Sequence, residues 1–124
     1  MSTLSFFENP DEAPVPREQV AIEQVAFEPL PDGRRIRVSI TLTPFVDRPN
    51  LDILLLTPDR RQVSSLSVVE ALERQMEFTL HIREPQTLPQ YIGRVELYFE
   101  EGRVQDSYEA PIIMRPQSGQ GATF

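Results

Sequence analysis

Apolar side chains recur at every second position along most of this chain, in short runs broken by Gly, Pro, Asn and Asp. The cleanest run is "RIRVSITL" at 35–42, where Ile36, Val38, Ile40 and Leu42 share one face and Arg35, Arg37, Ser39 and Thr41 the other. A period of two marks a strand with one face buried and one in water. "MEFTLHI" at 76–82 repeats it, with Met76, Phe78, Leu80 and Ile82 inward and Glu77, Thr79 and His81 outward. In "YIGRVELYF" at 91–99 the inward positions fall to Tyr91, Val95, Leu97 and Phe99. The first segment, 19–30, changes apolar parity between Ile22 and Val25, which predicts a bulge or a strand that switches sheets. The last, 104–113, contains Pro111; without an N–H to donate, it places that strand at a sheet edge. Between these two final segments, "EEGR" reads as a tight turn in which Gly102 supplies a positive φ.

Two segments are less regular. "LDILLL" at 51–56 is apolar on both faces, with Leu51, Ile53 and Leu55 on one side and Asp52, Leu54 and Leu56 on the other. "QVSSLSVV" at 62–69 reads as a strand in a hairpin with it. Ser67 and Glu70 nevertheless have capping-box spacing, so one or two helical turns within 64–73 remain an alternative. Seven short segments at intervals of about a dozen residues predict an all-β, seven-stranded antiparallel sandwich over residues 19–114. Residues 1–18 are acidic and Pro-rich and 115–124 polar and Gly-containing, so both are expected to be flexible tails.

The strand count, the "LPQY" approach to the sixth segment and the final hairpin resemble an immunoglobulin-like or fibronectin-type-III-like sandwich across residues 19–114. Tyr91 stands where the tyrosine corner of such domains would place its residue, at the start of the sixth strand. The chain has no Cys and no Trp, so the inter-sheet disulfide and core tryptophan of true immunoglobulin domains are absent. The resemblance is one of architecture and implies no function.

Composition narrows the functions. A net charge of −7 argues against nucleic-acid binding, which needs a basic surface to neutralise phosphates, and against an anionic membrane surface. No apolar run approaches the ~20 residues of a membrane span, and the N-terminus lacks the basic and apolar regions of a secretory signal. With no cysteine, these features point to a cytoplasmic protein without membrane insertion. All basic residues are arginine; without lysine there is no Schiff-base chemistry and no phosphate-binding P-loop.

Candidate chemistry is sparse. The single histidine, His81, falls on a polar strand face with no nucleophile and carboxylate arranged around it. The carboxylates show neither calcium-loop spacing nor a pairing across a cleft. Sugar binding favours exposed aromatic platforms, and only Tyr98 points outward on a strand. Arg35 and Arg37 would lie near His81 and Arg83 if the second and fifth strands pair, a basic corner that Glu23 and Glu28 of the first strand can neutralise. No cofactor or metal is expected, and the reading is non-enzymatic.

One surface stands out. If the third, sixth and seventh strands share a sheet, its outer face carries Leu54 and Leu56 beside Ile92, Arg94, Glu96 and Tyr98. Such an apolar patch is normally covered. The candidate covers are a protein partner or a second copy, the fourth segment as a helix, or the N-terminal arm with Leu4, Phe6 and Phe7. The expected interface is therefore Leu54, Leu56, Ile92, Tyr98, Phe6 and Phe7. The expected role is a protein-interaction or assembly module, able to form a homodimer; the alternative is a small-ligand or carbohydrate-binding sandwich.

Overall fold

The structure, a computed structural model, describes residues 13–114. Seven strands run β1 (Ile22–Pro29), β2 (Arg35–Leu42), β3 (Asn50–Leu56), β4 (Gln62–Val68), β5 (Gln75–His81), β6 (Gln90–Tyr98) and β7 (Val104–Ile113). They form two antiparallel sheets, β1-β2-β5 and β4-β3-β6-β7, so the seven-stranded sandwich expected from the pattern is what the chain makes. The alternating residues supply its core: Ile36, Val38, Ile40 and Leu42 of β2 face Leu51, Ile53 and Leu55 of β3 and Tyr91, Val95 and Leu97 of β6, all essentially inaccessible. No helix among the described residues is long and apolar enough to cross a membrane.

Local features follow the residues that require them. The β1–β2 register shifts between Ile22 and Gln24, where the apolar parity changed. Gly33 and Gly102 take φ of +70° and +83° in the turns after β1 and β6. Pro111 lies on β7, an edge strand. Tyr91 is fully buried and its hydroxyl accepts the Leu88 N–H at 2.8 Å, which is the tyrosine-corner bond. Gly93 has a packing role. A Cβ there would lie 2.5–2.7 Å from ring atoms of Phe27, so only a residue without one lets the ring sit against β6.

The helical alternative within 64–73 is not adopted. Residues 62–68 pair with β3 from Leu51↔Val68 to Leu56↔Gln62, which turns Leu66 and Val68 inward against the core. A helical turn would break that ladder, so packing outweighs the capping-box spacing. The strand ends at Val68, and two residues on Glu70 takes φ +53° and donates its N–H to Asn50 Oδ1 at 2.8 Å.

The sandwich has two ends. At the upper end lie the β1–β2, β3–β4 and β5–β6 connections; at the lower end lie β2–β3, β4–β5 and β6–β7. The chain engages the lower end from Val15, ahead of Gln19. Val15 forms a parallel bridge with Phe45, and its N–H donates to Pro44 O at 3.1 Å. A 3-10 turn at Arg17–Gln19 follows, with the Arg17 guanidinium 4.5 Å from the centre of the Phe99 ring.

Candidate functional site

The outer face of β4-β3-β6-β7 takes its order from the strand register. Leu56 lies opposite Ile92, Ile92 opposite Pro111, and Gln90 opposite Ile113. One step lower, Leu54 lies opposite Arg94 and Arg94 opposite Glu109. The upper half of this face therefore carries Leu54, Leu56, Ile92, Pro111 and Ile113 as one apolar group. Their exposure is uneven: Ile113 is 65% exposed, Leu54 and Ile92 are half-buried, and Leu56 is only 7% exposed.

Tyr98 is set apart. It lies opposite Asn50 at the lower end, beyond the Asp52–Glu96 pair, and its hydroxyl donates to Asp52 Oδ1 at 3.2 Å. Burial and the neighbouring Asp52 carboxylate raise the hydroxyl's pKa above its ordinary value. Of the residues expected at the interface, Leu54, Leu56 and Ile92 thus come together and Tyr98 does not join them. Phe6 and Phe7 lie outside the described residues.

A chain of charges crosses the same face. Arg60, in the β3–β4 turn, takes φ +74° and directs a bidentate guanidinium to both oxygens of Glu109 at 2.9 Å. Arg94 donates to Glu109 Oε1 at 2.9 Å and to Glu96 Oε2 at 2.7 Å. Because Arg60 follows β3 and Glu109 sits on β7, their pair must pass over β6. The two arginines, Arg60 first, hold the Glu109 carboxyl down to about 2, well below the usual carboxylate range. Arg94 is raised, chiefly by its bond to Glu96. Exposed pairs taken singly contribute little, but bidentate geometry shared among several charges fixes side chains in place.

The turn beneath Arg60 is itself organised. Thr57, 2% exposed, accepts the Arg61 N–H at 2.9 Å and donates its hydroxyl to Asp59. Arg61 then pairs with Glu84 of the β5–β6 connection at 2.6 Å, lowering the Glu84 carboxyl below its ordinary pKa. Nothing in the sequence pattern joined Arg60 to Glu109, since β6 lies between β3 and β7 in the sheet. Pro111 and Ile113 did carry a signal, because their outward parity on an edge strand was readable.

Other candidate positions resolve into surface pairs. His81 is exposed opposite Arg35. Arg37 sits 3.2 Å from both Glu28 and Glu77, Arg35 pairs with Asp32 at 2.6 Å, and Glu23 pairs instead with Arg74 at 2.9 Å. The basic corner is therefore neutralised, by Glu28 as expected and by two further carboxylates. Among the described residues, no cluster of three or more His, Cys, Asp or Glu side chains could hold a metal ion. Two open cavities of about 320 and 360 Å³ flank the Arg17–Phe99 stack at the lower end. One is bordered by Glu18, Glu100 and Gln105, the other by Val46, Arg48, Asn50 and Glu70.

Neither a protein-family model nor a curated protein matches this chain. Solved structures do share its fold. A glycosyl hydrolase family 2 member from Bacteroides cellulosilyticus aligns over 77% of this chain and 14% of its own, at 16% identity and a TM-score of 0.58. The β-glucuronidase of Bifidobacterium dentium, complexed with coumarin-3-O-glucuronide, aligns over 77% and 18% of the two chains, at 18% identity and a TM-score of 0.56. A putative β-galactosidase from Bacteroides fragilis covers 78% and 18%, at 16% identity and a TM-score of 0.55. The chain spans less than a fifth of the length of these proteins, so the likeness is to one domain-sized sandwich within each of them.

Proposed function

We propose that this chain is a non-enzymatic accessory sandwich in a carbohydrate-processing setting, acting through contact with a second copy of itself. The carbohydrate setting rests on the fold shared with part of several glycoside-processing enzymes. The observation that carries the contact role is the upper outer face, where Leu54, Leu56, Ile92, Pro111 and Ile113 adjoin a fixed lattice of Arg60, Arg94, Glu96 and Glu109. Two arginines balance two glutamates there, so the patch carries no net charge on a chain of −7. Like meets like without repulsion on such a face, and each arginine finds a carboxylate across a two-fold axis. The apolar group then supplies the area to be buried.

Light scattering across a concentration series tests this. The full chain is expected to dimerise, and the pair Leu54→Ser with Ile113→Asp to remain monomeric with an unchanged far-ultraviolet spectrum. A full chain that stays monomeric at every concentration overturns the reading. A second reading, binding of a small sugar at the lower end, draws on the two cavities with convergent polar groups beside Phe99. Chemical-shift changes confined to Arg17, Asn50 and Phe99 on adding oligosaccharides would favour it. Against it stands the Phe99 ring, whose face is already taken by Arg17.

A further inference from the structure

The lower end of the sandwich presents large apolar side chains that the core does not use. Val46, Val69 and Leu72 are 74%, 74% and 73% exposed, the three highest values among the large hydrophobic residues described. A backbone bond ties together the two connections that carry them. Ala71 N–H donates to Pro49 O at 2.8 Å, binding the β4–β5 connection to the β2–β3 connection. Val46 and Glu70 border the same cavity of about 360 Å³. Glu70 sits in the left-handed region at φ +53°, a conformation a non-glycine residue keeps only when its surroundings impose it. Around it, Ala71 turns into the core at 1% exposure, while Val69 and Leu72 are left in water.

An occupant is at hand in the N-terminal segment. The described chain starts at this end, since Val15 is bridged to Phe45, the residue before Val46. Twelve residues precede it, and they include Leu4, Phe6 and Phe7. Phe7 lies within six residues of the described start, an extended reach of about 20 Å; the whole segment reaches about 40 Å. The cavity border is balanced in charge, Arg17 and Arg48 against Asp47 and Glu70, so the apolar match and the reach of the segment carry the assignment.

We infer that residues 1–12 of the same chain seat on this lower end, with Phe6 and Phe7 covering Val46, Val69 and Leu72. This lies apart from the dimer face, which occupies the upper half of the four-stranded sheet. The two predictions therefore fail independently.

The chain has no cysteine, so a single introduced thiol gives a unique probe. A nitroxide tag on Glu73→Cys in the full chain should broaden the amide signals of residues 4–8 in the tagged molecule. It should not do so in a mixture where tag and isotope sit on different molecules. Absence of broadening in the tagged chain overturns the inference, and so does broadening that appears equally in the mixture, which would assign the seat to another copy's segment. A second measurement is independent of the tag. Phe6→Ser with Phe7→Ser should speed amide exchange at 69–72 roughly tenfold and leave β2 and β6 unchanged. Equal exchange in the two proteins overturns the seat.

Discussion

The two lateral seams of this sandwich are built differently. On one side β1 and β7 bring the sheet edges together. Asp106 Oδ2 accepts the Ile22 N–H at 2.9 Å, and Gln105 donates to the carbonyls of Arg17 at 3.0 Å and Val20 at 2.8 Å. Further along, Phe27 of β1 stacks on Tyr108 of β7 with ring centres 6.4 Å apart, while its edge fills the space left by Gly93. On the other side β4 and β5 meet loosely. Val63, Leu66, Val68, Met76 and Phe78 are only partly buried there, and among the described residues no side-chain hydrogen bond or ion pair joins the two strands. The difference has one source. β1 is the edge strand of its sheet, so the Ile22 N–H, beside the hydrogen-bonded Ala21–Thr43 pair, points away from β2, and a carboxylate of the opposite sheet satisfies it. No such exchange of polar groups binds β4 to β5, so that seam is held by apolar contact alone.

The closed seam is most sensitive at Gly93. Adding one methyl drives against the Phe27 ring, and Gly93→Ala is expected to cost about 2–3 kcal/mol in urea denaturation. Phe27→Leu in the same chain should restore part of that loss, because it vacates the contested space. A costless Gly93→Ala would mean that the closed seam does not depend on this packing.

A smaller effect is expected from Asp106→Ala, which leaves the Ile22 N–H without its acceptor and should cost about 1–2 kcal/mol. The matching change on the open side is Ser67→Ala. Ser67 bonds only to Asp52 within its own sheet, so a change within about 0.5 kcal/mol is expected. Equal costs at the two positions would erase the distinction between the seams.

The smallest effect concerns acid. The Glu109 carboxyl is lowered from 4.5 to about 2 by Arg60 and Arg94. Its unfolded form therefore binds a proton first as pH falls, so the stabilisation is fully present above 4.5 and is lost between there and about 2. The wild-type chain should lose stability more steeply in that window than Glu109→Gln. Hydrogen exchange should rise first in β7, which Glu109 ties to the β3–β4 turn, before it rises in β5. Identical acid profiles for the two proteins would show that the lattice over β6 is inert.

Much of the fold was readable because a strand writes its burial locally. The alternation in β2 and β5, the parity change at Ile22 and the proline on the last strand each needed only their immediate neighbours. Tyr91 could be placed from its turn and strand alone. The candidate surface was legible in part: the doubled leucines of β3 named Leu54 and Leu56, and register with β6 was enough to add Ile92. Tyr98 takes the same face but lies at its other end, because outward parity says which face a residue takes and says nothing of its distance along the strand from its fellows.

What the sequence determined by itself is the set of strands and the side each residue turns, since both follow from a two-residue period and the exclusion of water from one face. What only the tertiary structure decided is the meeting of distant positions: Phe27 with Gly93, Asp106 with Ile22, Arg60 with Glu109. Those contacts depend on which strands lie side by side and in what register, and no local pattern contains that information. The same holds for Glu70, whose left-handed backbone is imposed by Asn50 from another strand. Periodicity is a property of a segment; closure of a seam is a property of the pair of sheets.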